Sequence, residues 1–148
     1  MSWTFRISDG DLDLTSSGRV DVIEGSEKCN QDLADIQMTE YDQDQDWGSE
    51  IVNSVGGVPR ALPGVHGFIT NAVLDAVDLL QEYQRNDPYA TPDERIDDVI
   101  QLVVVPVGQL KYQYYLVCQL EDTSQIPTGM AISLDQQYAV RDVMEVSI

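Results

Sequence analysis

Val99 to Asp122 reads VIQLVVVPVGQLKYQYYLVCQLED. β-Branched and aromatic residues dominate both halves, and Gly108 and Gln109 stand between them. Such side chains fit a pleated surface, and a two-residue break between two such runs marks a hairpin. Strands are therefore expected over 99–107 and 110–122. Pro106 cannot donate to a sheet ladder, but near the turn, at a strand end, it is tolerated. GMAISL (129–134) and QYAVRDVMEVSI (137–148) read as two further strands. The C-terminal third is expected to be one antiparallel sheet.

Upstream the apolar period changes from two to 3.6. Phe68, Ile69, Ala72, Val73, Ala76, Leu79, Leu80 and Tyr83 form one broad stripe, so a helix is expected from Phe68 to about Arg85. Between this helix and the sheet, Thr91 and Glu94 have capping-box spacing, with Pro92 at the first helical position. A short helical turn there leads into the first long strand. Residues 51–67 are rich in Gly and Pro and are expected to be irregular or only briefly helical.

In GSEKCNQDLADIQMTE, Ser26 is the expected cap of a helix over 27–38, with Glu27 in its first turn and Cys29, Leu33 and Ile36 as its apolar stripe. Before it, DLDL (11–14) and RVDVI (19–23) alternate with period two around TSSG, which reads as a hairpin. Asp13 to Glu24 also places oxygen-bearing residues at calcium-loop positions. A calcium loop of the EF-hand kind is entered by a helix, whereas FRISDGDLDL alternates and contains Gly10. In YDQDQDWGSE (41–50), Trp47 stands where a turn glycine would sit, so a solvated acidic loop is expected. The order describes a single α+β domain over 1–148: N-terminal hairpin, two main helices, C-terminal antiparallel sheet.

Twenty-six acidic residues oppose eight basic ones, for a formal charge of −18, and only Lys28 and Lys111 are lysines. No basic face exists to neutralise phosphates, so nucleic acid is not an expected partner. Dispersed acidity with scarce lysine points to a saline, halophilic setting, where screening shortens to ~3 Å at 1 M salt. No apolar run reaches the 18 or so residues of a membrane span. MSWTFRISDGDLDL has no basic region followed by an apolar one, so cytoplasmic synthesis is expected. Cys29 and Cys118 fit no CxxC pattern and read as two small buried hydrophobes.

His66 is the lone histidine and has no local partner for nucleophilic or metal chemistry. SVGGVPR lacks the lysine and the Ser or Thr of a phosphate-binding loop. Paired carboxylates are uninformative among so many acids. No enzyme, cofactor or metal site is expected from these residues.

DLDLTSSGRVDVIEGSEKCNQDLADIQMTE, with Gln31 and Asp32 adjacent, then DQDWGSEI, with the step Trp47–Gly48, then PDERIDDVIQLVVVPV resemble in order the baseplate-wedge and sheath-initiator family of contractile phage tails and injection systems. The likeness covers most of residues 8–120. It departs where the family's Glu-Pro-Arg element is replaced by Asp93-Glu94-Arg95, with Pro92 moved in front. The resemblance implies a structural, non-enzymatic subunit in the virion tail baseplate, usually six copies in a ring. It implies contact with larger wedge proteins and with tail tube or sheath proteins, and interface roles for Gln31, Asp32, Trp47, Gly48, Asp93, Glu94 and Arg95. The alternatives are a calcium-binding acidic module using Asp13 to Glu24 or Asp42 to Glu50, and a cell-wall hydrolase, as the family's lysozyme-like label suggests.

Overall fold

The computed structural model describes residues 3–8, 11–39, 41–49, 62–108, 111–133 and 140–144. Short strands β1 (Thr4–Phe5), β2 (Ile7–Ser8), β3 (Asp11–Leu12) and β4 (Val22–Ile23) come first. Helices α1 (Gly25–Met38) and α2 (Leu62–Arg85) follow. After a 3-10 turn (Pro92–Glu94) come β5 (Ile96–Gly108), β6 (Lys111–Leu120), β7 (Gln125–Ser133) and β8 (Val140–Met144). The class is α+β, as expected.

Strands β5 to β8 form an antiparallel meander in chain order. Gly108 pairs with Lys111, so the loop falls one residue later than expected; its tip lies outside the described residues. Pro106 lies on β5, an edge strand, beside the register irregularity between Pro106 and Gly108, positions where a sheet tolerates proline. Strand β6 alternates without a break: Tyr112, Tyr114, Leu116, Cys118 and Leu120 are buried, and the residues between them are half-buried. With Ile126, Met130 and Ile132 of β7 they make the floor on which both helices pack.

The apolar stripe of α2 extends further back than expected. Val65 is buried with Ile69, Val73, Ala76 and Leu80, and the helix begins at Leu62, taking in residues 62–67 of the segment read as irregular or only briefly helical. Pro63 lies in the first turn, where its missing N–H has no intrahelical acceptor to lose. His66 is accordingly an exposed helical residue and not a loop residue. Residues 51–61 lie outside the described residues. Truncating Leu80 to alanine is expected to cost about 2–5 kcal/mol.

Polar groups stitch the layers together where they are buried. Gln84 Nε2 donates to Cys29 Sγ at 3.3 Å, and its Oε1 accepts from the Ile96 N–H at 2.9 Å. The Tyr114 hydroxyl, fully buried, donates to Gln37 Oε1 at 2.5 Å, and Gln37 Nε2 donates to the Leu33 carbonyl at 2.7 Å. Cys29 and Cys118 are free thiols, and burial pushes both up to about 12. No helix among the described residues is long and apolar enough to cross a membrane.

Candidate functional site

The expected N-terminal hairpin is present, with a third segment laid across it. Leu14 bridges Val20, and the turn closes through Thr15 N–H to the Arg19 carbonyl at 2.7 Å. Gly18 sits at φ +82, in the left-handed region that a glycine enters without penalty. Ile7 pairs with Leu12 on one side, and Phe5 pairs with Val22 on the other. Three strand segments therefore meet at one junction, where Arg6 N–H donates to the Asp21 carbonyl, Asp13 N–H to the Arg6 carbonyl, and Asp21 N–H to the Asp13 carbonyl.

Period-two alternation assigns every side chain around this junction to one of two faces. Arg6, Asp13, Asp21 and Ile23 share the inner one. There Arg6 Nε donates to Asp21 Oδ2 and its other guanidinium nitrogen to Glu27 Oε2, both at 2.6 Å. Phe5, Ile7, Leu12, Leu14, Val20 and Val22 share the outer face, from 38% exposed at Val20 to 61% at Leu14. The three cross-strand pairs close into a ring of six exposed apolar side chains. Trp3, 58% exposed, extends it by an edge-to-face contact with Phe5 at 5.3 Å. An amphipathic sheet ordinarily turns its apolar face inward; this one turns it out.

Gln31 fixes the unit to α1. Its Nε2 donates to the Phe5 carbonyl and its Oε1 accepts from the Ile7 N–H, both at 2.9 Å. One amide thus copies the hydrogen-bond pattern of a neighbouring strand.

Asp32 and Trp47 meet in a groove of about 550 Å³ between the N-terminal segment, α1, the 42–47 turn and α2. Asp32 accepts from Lys28 Nζ at 2.8 Å, one helical turn away. Burial holds the Asp32 carboxyl above its ordinary range despite that partner. Lys28 is also raised: burial opposes its charge, but the bond to Asp32 and the nearby acids outweigh it. Both shifts are upward but mean opposite things for charge: the ammonium, beside Asp32 and Glu94, is favoured, whereas the buried carboxylate, with one ammonium against Asp35 and Glu94, is disfavoured. Trp47 donates its indole N–H to Asp35 Oδ2 at 3.1 Å and meets Tyr83 edge to face at 5.4 Å. The acidic loop around it is a closed turn, with Asp42 and Trp47 bridged and Asp44 N–H donating to Asp42 Oδ1. Gly48 follows at φ +115, buried, where a side chain would be strained.

Asp93 and Glu94 lie against Gly25 at the start of α1, while Arg95 turns to Glu121, just beyond β6. Ser26 does not cap that helix. Glu24 holds the N-cap position with no side-chain cap, and Gly25 begins the helix at φ +67. The acceptor comes instead from 69 residues away: Glu94, almost wholly buried, takes the Gly25 N–H at 3.2 Å and the Thr91 N–H at 3.4 Å. A Cβ on Gly25 would stand 2.8 Å from Asp93 Oδ2, so glycine is required twice over. Asp93 also accepts from the Thr91 hydroxyl. Arg95 Nε lies 2.5 Å from Glu121 Oε2, yet the N–H is not aimed at that oxygen. The contact is an ion pair without a well-formed hydrogen bond, about a third exposed.

Sequence reasoning missed the outward ring and the long-range cap at Gly25. The signal for the ring was present: Phe5, Ile7, Leu12, Leu14, Val20 and Val22 share one phase, and the other phase pairs Arg6 with aspartates. Among the described residues no group of three or more His, Cys, Asp or Glu is placed to hold a metal ion. Comparison with known proteins gave no matching family model, no matching curated protein and no matching solved structure.

Proposed function

We propose that this chain is a structural docking subunit, a baseplate-wedge-like component of a contractile tail or injection device from a saline environment, without catalytic activity. The observation that supports the reading is the outward apolar ring at Phe5, Ile7, Leu12, Leu14, Val20 and Val22. A contiguous exposed apolar patch on a chain this acidic is a mark of an interaction surface.

Its occupant in this reading is a different, less acidic polypeptide. Two copies meeting ring to ring would set two chains of formal charge −18 in contact; salt screens the longer-range repulsion, but like charges at contact range still oppose the pairing. Any six-fold arrangement is then carried through the larger wedge partners. Covering the remaining half of each ring side chain contributes about 1 kcal/mol apiece, roughly 6 kcal/mol in all. Association itself costs about 4–15 kcal/mol, so the ring anchors an interface without completing it. Strands β5 and β8, the two edges of the meander, offer main chain for the rest by strand addition.

The test is co-expression with the products of the flanking genes followed by native mass spectrometry. A heteromeric complex of fixed stoichiometry is expected. A chain that stays alone beside every neighbour, or that clears a zone of host envelope in a zymogram, overturns the reading.

A further inference from the structure

The groove beside the ring has a composition that simple packing does not require. Three aromatic side chains line it: Trp3 and Tyr83, each more than half exposed, and Trp47. Asp32, Asp46 and Glu82 line it too, against the single cation Lys28. Three carboxylates against one ammonium leave the lining at −2. Among the described residues the ion pairs are Arg6 with Asp21 and Glu27, Lys28 with Asp32, and Arg95 with Glu121. Among the described residues Lys28 is thus committed to Asp32, and neither Glu82 nor Asp46, which accepts from the Tyr41 hydroxyl at 3.0 Å, has a cation. The faces of indole and phenol rings attract cations, and guanidinium does so best, because it is planar, weakly hydrated and able to fork onto carboxylates.

We propose that this groove receives an arginine side chain presented by a neighbouring polypeptide. The guanidinium lies against the open aromatic surface of Trp3, Trp47 and Tyr83, with Glu82 and Asp46 as its counter-charges. Trp3 touches both Phe5 of the ring and the groove, so an apolar segment on the ring with an arginine beside it would engage both at once. The inference rests on the docking reading only for the source of the arginine. The groove's preference for guanidinium is measured on the isolated chain, so it can fail while complex formation succeeds, and the reverse.

Trp3 and Trp47 are the only two tryptophans in the sequence, which makes the chain its own reporter. The probe is the blocked tripeptide acetyl-Gly-Arg-Gly-amide, titrated while tryptophan emission is followed. Its controls are the same peptide with citrulline, which keeps the shape and removes the charge, and with lysine. A saturable change at millimolar arginine peptide is expected, with lysine weaker and citrulline without saturation. Tyr83→Leu and Glu82→Gln, both at exposed positions of α2, are expected to weaken binding about five-fold each while circular dichroism stays unchanged. An absent response, an equal response to citrulline, or full binding by both variants overturns the proposal.

Discussion

Glu94 offers the sharpest separation of folding from docking. Its carboxylate is 2% exposed and accepts the first amide of α1 and the Thr91 amide. Hydrogen bonds to a charged acceptor contribute about 1.5–3 kcal/mol each, and the longer one, at 3.4 Å, belongs at the low end. A negative charge at a helix start adds about 0.3–2 kcal/mol. Replacing the side chain with alanine removes all of this and leaves the buried Gly25 N–H and the part-buried Thr91 N–H without their acceptor. Glu94→Ala is therefore expected to cost about 3–5 kcal/mol of a total near 5–15 kcal/mol. With a urea dependence of about 2 kcal/mol per molar, the midpoint falls by roughly 1.5–2.5 M. Glu94→Gln keeps an acceptor oxygen without the charge and is expected to lose about half as much. The measurement is equilibrium urea unfolding followed by circular dichroism. A Glu94→Ala midpoint within about 0.25 M of the parent, the size of an ordinary surface substitution, would refute the long-range cap.

Gln31→Ala is expected to cost about 1–2 kcal/mol for its two lost hydrogen bonds; amide exchange should quicken at residues 5–7 while the centre of α2 stays protected. Arg95→Ala removes a partly exposed ion pair worth under about 1 kcal/mol, so the isolated fold should survive while incorporation into an assembly weakens; unfolding of the isolated variant would make Arg95 a folding residue. Both thiols are raised to about 12 from 9.0, so the stability they contribute is complete below pH 9 and is lost as pH climbs toward 12. A thiol reagent at pH 8 should therefore modify neither cysteine until the chain is unfolded. Calcium at high salt is expected to give no saturable heat in calorimetry, since Asp13 Oδ1 and Asp42 Oδ1 already accept backbone amides.

The sheet was legible because its strands carry their own signal: the alternation of Tyr112 to Leu120 needs no partner to be recognised. The body of α2 was legible for the same reason, through its 3.6-residue stripe. Its start was not, because Pro63, Gly64 and Gly67 resemble a loop locally, and only the burial of Val65 against the sheet reveals the helix. The cap at Gly25 was hidden for a different reason. Its acceptor, Glu94, is 69 residues away, and no local pattern announces a pairing closed through tertiary structure. The acidic loop read as solvated is tied down by Trp47, whose partners Asp35 and Tyr83 come from two different helices. Alternation in the N-terminal strands was plain, but period two fixes only that two faces differ. Which face meets the core depends on what lies beneath, and here Glu27 and Gln31 of α1 present polar groups to Arg6 and the β1–β2 backbone.

The most direct measurement is hydroxyl-radical footprinting of this chain, free and within the complex formed with its neighbours. Phe5, Ile7, Leu12 and Leu14 should be oxidised readily in the free chain and lose most of that labelling on assembly, while Tyr89, 70% exposed and not part of the ring, stays equally reactive. Unchanged labelling of those four residues in the assembled state would mean the apolar ring meets only water, and the docking account would be wrong.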